Sequence, residues 1–285
     1  MPVPPVTRCG AAEFRWGERT YVMGIINVSP ESFSGDGLST AESAVAQARR
    51  FADEGADILD IGGESTRPGS SPIGLEEEKR RLLPAVERVA AAVSLPLSVD
   101  TGKAEVARLA LEAGASILND QWGLKREPAL AALAAEHGVP IILMSNQRDR
   151  GGFDAINQRD TAFYEDVMAE VISSLRGSIS TALAAGVPRE NIIIDPGIGF
   201  GKTWQQDLEL VRRLAELKVL EQPILVGTSR KSLIKMVLNL PASDRVEGTA
   251  ATVAISIANG ADIVRVHDVK QMVRVCRMTD AIVRG

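Results

Sequence analysis

Eight short apolar runs recur along the 285-residue chain, each trailed by a stretch with helical spacing, and this alternation constrains the fold more than any other feature. The runs cover 22–27, 58–62, 97–100, 116–119, 139–144, 192–195, 224–227 and 263–266, with helical patterns near 40–54, 76–93, 103–113, 127–137, 160–185, 205–218, 244–258 and 268–283. Parallel strands need a crossover of a dozen residues or more, and a helix supplies it. Several helical patterns end in a glycine just before the next run, as in EGADILD, EAGASILND, EHGVPIIL and ANGADIVRV. That is the expected return from helix to strand. Eight units of about 30 residues imply an α/β chain closed into a TIM (β/α)8 barrel rather than an open sheet. Residues 11–21, AAEFRWGERTY, read as a short N-terminal hairpin ahead of the barrel, and no linker or compositional shift divides 1–285 into more than a single domain.

Composition narrows the function classes. A formal charge of -5 and a pI near 5.3, with no strongly basic run, argue against a nucleic-acid surface. Two cysteines, Cys9 and Cys276, are too few for a disulfide framework and point to a reducing compartment. The leading MPVPPVTRCG lacks the apolar core of a signal peptide, and the most apolar helical stretch, 249–258, is too short to span a membrane. A cytoplasmic protein with no membrane partner is expected.

In a barrel of this kind, functional groups belong at the C-terminal ends of the strands and in the loops that follow. Polar residues gather there. Asn27 ends the first run, GGESTRPG (62–69) follows the second, Asp100 ends the third, and Asn119-Asp120 the fourth. Asp195 ends the sixth, GTSRKS (227–232) follows the seventh, and Arg265-Val266-His267 closes the eighth. Two carboxylates and an amide, Asp100, Asn119 and Asp195, suit recognition of a flat heterocycle; helix capping by Asp100 is the competing reading. Arg67, Arg230, Lys231, Arg265 and His267 place cations around the same end, which suggests a phosphate or diphosphate ligand. Magnesium suits such a ligand, since the phosphates supply most of its oxygens, and Asn27 beside the long loop 28–37 is a candidate donor. No cluster has zinc spacing. Lys231 beside Arg230 also leaves a Schiff-base role open. DPGIGFGKT (195–203) looks like a nucleotide loop but misses both glycine templates, because Pro196 stands where a phosphate loop has its first glycine.

The segments GIINVSPESFS, DIGGESTRPGS, SVDT, ILNDQWG, DPGIGFGKT, GTSRKS, EGTAA and ADIVRVHDV, in this order over residues 24–269, resemble the dihydropteroate synthase family. The resemblance implies a homodimeric (β/α)8 transferase of folate biosynthesis. Such an enzyme joins 4-aminobenzoate to a dihydropterin methyl diphosphate and uses Mg2+. It implies that Asp100, Asn119 and Asp195 hold the pterin, with Met144 and Lys231 beside it. Asn27, Arg265 and His267 would bind the diphosphate and its magnesium. Thr66, Arg67, Pro68, Phe200 and Ser232 would border the aminobenzoate. Asp100, Asp195, Lys231, Arg265 and His267 would then carry the catalysis.

Three departures from the family pattern stand out. Ser145-Asn146-Gln147 follows Met144 where Met-His is usual, SGDG moves an aspartate to Asp36, and SPESF brings Glu31. All three are expected to border the aminobenzoate loops rather than the pterin pocket, which raises the expectation of altered sulfonamide sensitivity. A pterin-binding methyltransferase barrel and a non-catalytic pterin-binding paralogue are the other readings. The methyltransferase has little use for Arg265 and His267 as a diphosphate clamp or for STRPGS, whereas the paralogue would hold the pterin diphosphate without releasing diphosphate.

Overall fold

Alternation along each strand divides the apolar residues between two cores. The computed structural model describes residues 6–28, 37–38, 40–64, 73–148 and 164–285. Strands β1 (Val6–Cys9) and β2 (Ala12–Arg15) form an antiparallel hairpin. Next come β3 (Tyr21–Asn27), β4 (Ile58–Gly62), β5 (Leu97–Asp100), β6 (Ile117–Asp120), β7 (Ile141–Met144), β8 (Ile192–Asp195), β9 (Leu225–Val226) and β10 (Ile263–Val266), all parallel. Their order β8-β7-β6-β5-β4-β3-β10-β9 leaves one seam. It is closed by a parallel bridge between Ile194 and Ile224 and by the Ile194 N–H donating to the Pro223 carbonyl at 2.9 Å.

Outward-facing Ile26, Leu59, Ile61, Val99, Leu118, Leu143, Ile194 and Val264 pack against the helices. These are α1 (Ala41–Glu54), α2 (Leu75–Ala92), α3 (Ala104–Glu112), α4 (Ala129–His137), α5 (Val167–Ala184), α6 (Trp204–Arg212), α7 (Ser232–Leu238), α8 (Val246–Ala258) and α9 (Val269–Val283). Helix α1 shows the local logic. Thr40 accepts from the Ser43 N–H at 3.1 Å to start it, Ala44, Ala48 and Phe51 bury one face, and Gly55 ends it in a left-handed conformation.

Inward-facing Met23, Ile58, Ile117, Ile142, Ile193, Leu225 and Ile263 fill the lower half of the barrel. The hairpin stoppers that end. Phe14 joins this inner core, edge-on to Tyr21 at 5.1 Å and stacked on Trp16 at 5.6 Å. Trp16 Nε1 donates to Thr7 Oγ1 at 2.9 Å, and Thr7 Oγ1 donates to the Glu190 carbonyl at 2.5 Å.

The hairpin lies several residues earlier than the sequence suggests, because its turn is at Gly10, not at Gly17. Helix α7 has no counterpart in the sequence reading. Of its seven residues only Leu233 and Ile234 are buried, so it carries no amphipathic signal. Strand β9 shrinks to two residues, and α5 begins at Val167. Phe14→Ala removes the stopper and is expected to lower stability by about 3–5 kcal/mol in urea unfolding. A change below about 1 kcal/mol would show that the hairpin does not seal the core.

Candidate active site

The inward rows of the barrel change from apolar to polar as they rise. Ile58 is followed two residues on by Asp60, Ile117 by Asn119 and Gln121, Ile193 by Asp195, and Ile263 by Arg265 and His267, while in β5 Asp100 follows the already polar Ser98. The sequence reading had missed Asp60. Its exposure is 0%, and it anchors the layer: Arg265 Nε donates to its Oδ2 at 2.6 Å, and Asn119 Nδ2 donates to both its oxygens at 3.2 and 3.3 Å. Arg265 Nη2 donates to Asp100 Oδ2 at 2.9 Å, and Gln121 Nε2 donates to the same oxygen. Burial pushes the Asp100 carboxyl up to about 7, against the pull of Arg265 and with a further push from Asp60. Helix capping is not the task of Asp100. The N-cap of α3 is Lys103, with no side-chain capping bond, while Thr101 Oγ1 accepts from the Lys103 N–H at 3.2 Å and donates to buried Glu78 at 2.6 Å.

The turn after β8 is pinned at nearly every peptide group. Asp195 Oδ1 accepts from the Gly197 N–H at 2.7 Å, and Asp207, from the first turn of α6, accepts from the Gly199 N–H at 2.8 Å. Lys231 Nζ donates to the Ile198 carbonyl at 2.7 Å, and Arg148 Nη2 to that of Gly199 at 3.3 Å. Lys202, 2% exposed, donates to three carbonyls: Ser145 at 3.0 Å, Gly197 at 3.0 Å and Phe200 at 3.1 Å. All three ammonium hydrogens are thereby used, so Lys202 is a staple between the β7 and β8 ends and not a phosphate ligand. Gly197 has φ +70°, and a Cβ there would lie 2.2 Å from the Ser145 carbonyl oxygen, so only glycine permits the approach.

Phe200 is the side chain this turn presents. It is buried, with the Arg148 guanidinium 4.3 Å and the Lys231 ammonium 4.8 Å from its ring centre. Burial lowers Lys231 to about 8 despite Asp195, lowers Lys202 to about 8 despite Asp207, and lowers Arg148 to about 10. It raises Asp207 to about 6, and it raises Asp195 against the opposing charge of Lys231.

Met144 is buried at the end of β7, and His267 Nδ1 lies 2.9 Å from Ser229 Oγ. Ser232 is exposed at the start of α7, and Asn27 is half-buried at the end of β3. Arg230 is held bidentately by Asp268 at 2.6 and 3.0 Å, so its charge is already partnered beside the site. Thr66, Arg67, Pro68, Glu31 and Asp36 lie outside the described residues. The segment after Met144 does not border only the aminobenzoate side. Asn146 Nδ2 donates to the Gln121 carbonyl at 3.0 Å, while Gln147 Nε2 donates to Ser145 Oγ at 3.1 Å. This departure from the family pattern therefore reaches the strand-end layer around Asp100.

Comparison with known proteins shows the family. Residues 23–267 match the family described as pterin binding enzyme. A dihydropteroate synthase of Clostridium beijerinckii is 47% identical over 97% of this chain and 99% of its own length. The chain belongs to the dihydropteroate synthase family. The Bacillus subtilis dihydropteroate synthase is likewise 47% identical, over 93% of this chain and 89% of that relative. Among solved structures, the Clostridium difficile dihydropteroate synthase determined in the presence of pteroic acid has a TM-score of 0.87 at 44% identity, covering 95% of this chain and 100% of that one. The Yersinia pestis dihydropteroate synthase with a sulfonamide drug has a TM-score of 0.90 at 38% identity, covering 97% and 98%. For this member of the dihydropteroate synthase family, Lys202→Met leaves three buried carbonyls without their charged donor. It is expected to cost about 3 kcal/mol in urea unfolding, with Lys202→Arg recovering part of the loss. A neutral Lys202→Met would refute the staple.

Proposed function

We propose that this chain condenses (7,8-dihydropterin-6-yl)methyl diphosphate with 4-aminobenzoate to give 7,8-dihydropteroate and diphosphate. One observation supports the reading: Asp100, Asn119 and Asp195 lie at the C-terminal ends of strands of one barrel, and Arg265, two residues before His267, donates to Asp100 Oδ2 at 2.9 Å. Asp100 and Asp195 accept from the pterin N–H groups, Asn119 both donates and accepts, and Met144 and Lys231 flank the ring. Arg265 and His267 receive the diphosphate. Phe200 and Ser232, with Thr66, Arg67 and Pro68, border the aminobenzoate.

The C–O bond to the diphosphate breaks with its electron pair on the leaving oxygen, producing a pterin methylene cation. Asp100 and Asp195 are already fixed near the ring, so their charge needs no reorganisation as the cation develops. The aryl amine lone pair then forms the C–N bond, and the amine proton passes to the departing diphosphate or to water. No covalent intermediate is required, and the Lys231 ammonium serves as a donor.

The implied cofactor is magnesium. Among the described residues, no group of three or more His, Cys, Asp or Glu side chains could hold a metal ion. A donor set of this kind fits a hard cation that arrives with its phosphate oxygens, with Asn27 adding one amide oxygen. Bound there, magnesium offsets the charge of the leaving group.

Exposed Met236, Val237 and Leu238 on α7, Ile255 on α8, and Met278 and Ile282 on α9 lie on three helices packed in succession. Exposed apolar side chains on three neighbouring helices support a homodimer. Ile255→Glu is expected to shift the mass in light scattering from dimer to monomer; an unchanged mass places the interface elsewhere. Two buried free cysteines are consistent with a cytoplasmic enzyme, and among the described residues no helix is long and apolar enough to cross a membrane.

The deciding assay is diphosphate release from the pterin diphosphate with magnesium and 4-aminobenzoate, repeated with a sulfonamide titrated in. Pterin binding without release would identify a binding protein instead. The inhibition curve reads how far the Ser145–Asn146–Gln147 departure alters drug discrimination. Asp100 must be ionised to accept from the pterin, and its carboxyl sits near 7. Protonation therefore removes function as pH falls: kcat/KM for the pterin substrate should drop about tenfold per unit below about pH 7. Asp100→Asn should abolish this dependence along with most of the activity.

A further inference from the structure

We propose that Asp60 is a positioning residue for the proposed reaction: its carboxylate decides which end of the Asn119 amide, and which oxygen of Asp100, is presented to the pterin ring. The inference rests on the pterin reading above and adds to it the group that orients recognition. Asp60 is fully buried and touches no ligand, so it acts through Asn119 and Arg265.

The effect on Asn119 follows from chemistry. An ionised carboxylate only accepts, so the Asn119 nitrogen faces Asp60, 3.3 and 3.2 Å from its two oxygens, and the amide oxygen is turned the other way. That oxygen, Oδ1, has no partner among the described residues, yet it is not shut off from solvent as the side-chain oxygens of Gln121, Gln147 and Gln222 are. Asp100 is set through the arginine. Asp60 Oδ2 holds Arg265 Nε at 2.6 Å, which aims Nη2 at Asp100 Oδ2, 2.9 Å away, where Gln121 Nε2 also donates. Asp100 Oδ1 is left over, again without a partner among the described residues and again open. Asp100 and Asn119 are register partners on β5 and β6, so one hidden carboxylate leaves two open acceptors side by side. A pterin edge, with an exocyclic amine and ring N–H groups, supplies donors to such a pair. An asparagine in place of Asp60 would reverse the arrangement. Its NH2 must take one of the two oxygen positions, each 3.2 or 3.3 Å from Asn119 Nδ2, and so meets a donor either way. Asn119 relieves that clash by turning over, which brings its own NH2 against the ring donors.

The test compares the wild-type enzyme with Asp60→Asn, which keeps the shape and removes the charge. Calorimetry with (7,8-dihydropterin-6-yl)methanol, which carries the ring without the diphosphate, should show binding about tenfold weaker in the variant. The acid limb of kcat/KM supplies a readout that a scaffold role would not move. Asp100 faces Arg265, Asp60 and Glu78 and accepts from Gln121; losing the Asp60 charge removes an upward push, so the limb should move below its wild-type position near pH 7. In an Asn119→Asp background the sign should invert. There Asp60→Asn again sets an amide against a carboxylate, and ring binding should strengthen. Equal ring affinity of wild type and Asp60→Asn, or an unmoved acid limb, would overturn the inference while leaving the proposed reaction intact. Weaker binding in both backgrounds would mark a scaffold role and overturn it too. Should Asp60→Asn fold poorly alone, the comparison within the Asn119→Asp background decides by itself. If wild type fails to bind the ring, the functional reading falls first and this one with it.

Discussion

Charge buried in the barrel mouth must be balanced from within, and most of the site follows from that requirement. Among the charged side chains there, Asp60, Asp100, Asp195 and Asp207 face Arg148, Lys202, Lys231 and Arg265. Burial penalises each charge singly, which lifts Asp100, Asp195 and Asp207 and lowers Arg148, Lys202 and Lys231. Such groups stay charged only where partners and hydrogen bonds offset desolvation. The Arg265 guanidinium bridging Asp60 and Asp100 is the tightest example, and the three-carbonyl cage around Lys202 is the most complete.

The barrel was legible because strands and helices alternate with glycine returns, and the polar strand ends were legible because they interrupt apolar runs. Asp100, Asn119 and Asp195 were found by that rule. Asp60 escaped it, since it stands in the middle of ILDIG and not at the strand's end. Parity with Ile58 carried the missing signal: an inward charge in mid-strand needs a partner across the barrel, and Arg265 supplies it 205 residues away. Distance in sequence hid Lys202 as well. Its Ser145 acceptor is 57 residues removed, and no local pattern distinguishes a staple from a phosphate ligand.

The glycine-rich turn shows how a loop becomes as rigid as a strand. Side chains of the turn itself and of three other segments bind its peptide groups, so Phe200 is held without regular secondary structure beneath it. Preorganisation of this sort costs nothing at the moment of binding, because folding has already fixed the turn. The Ser145–Asn146–Gln147 segment belongs to the same unit. A substitution there is transmitted to the turn through the Ser145 and Phe200 carbonyls, and to β6 through the Gln121 carbonyl.

The hairpin that stoppers the lower end turns the barrel into a blind well. Below Asp60 the interior is filled by Met23, Ile58, Ile117, Ile142, Ile193, Leu225, Ile263 and Phe14. Traffic through a vessel with one opening is sequential: whatever lies deepest has to enter before anything that covers it, and leaves only after the cover has gone. For a two-substrate enzyme built this way, the order of addition is a property of the architecture, set by the closed lower end rather than by any one contact at the rim.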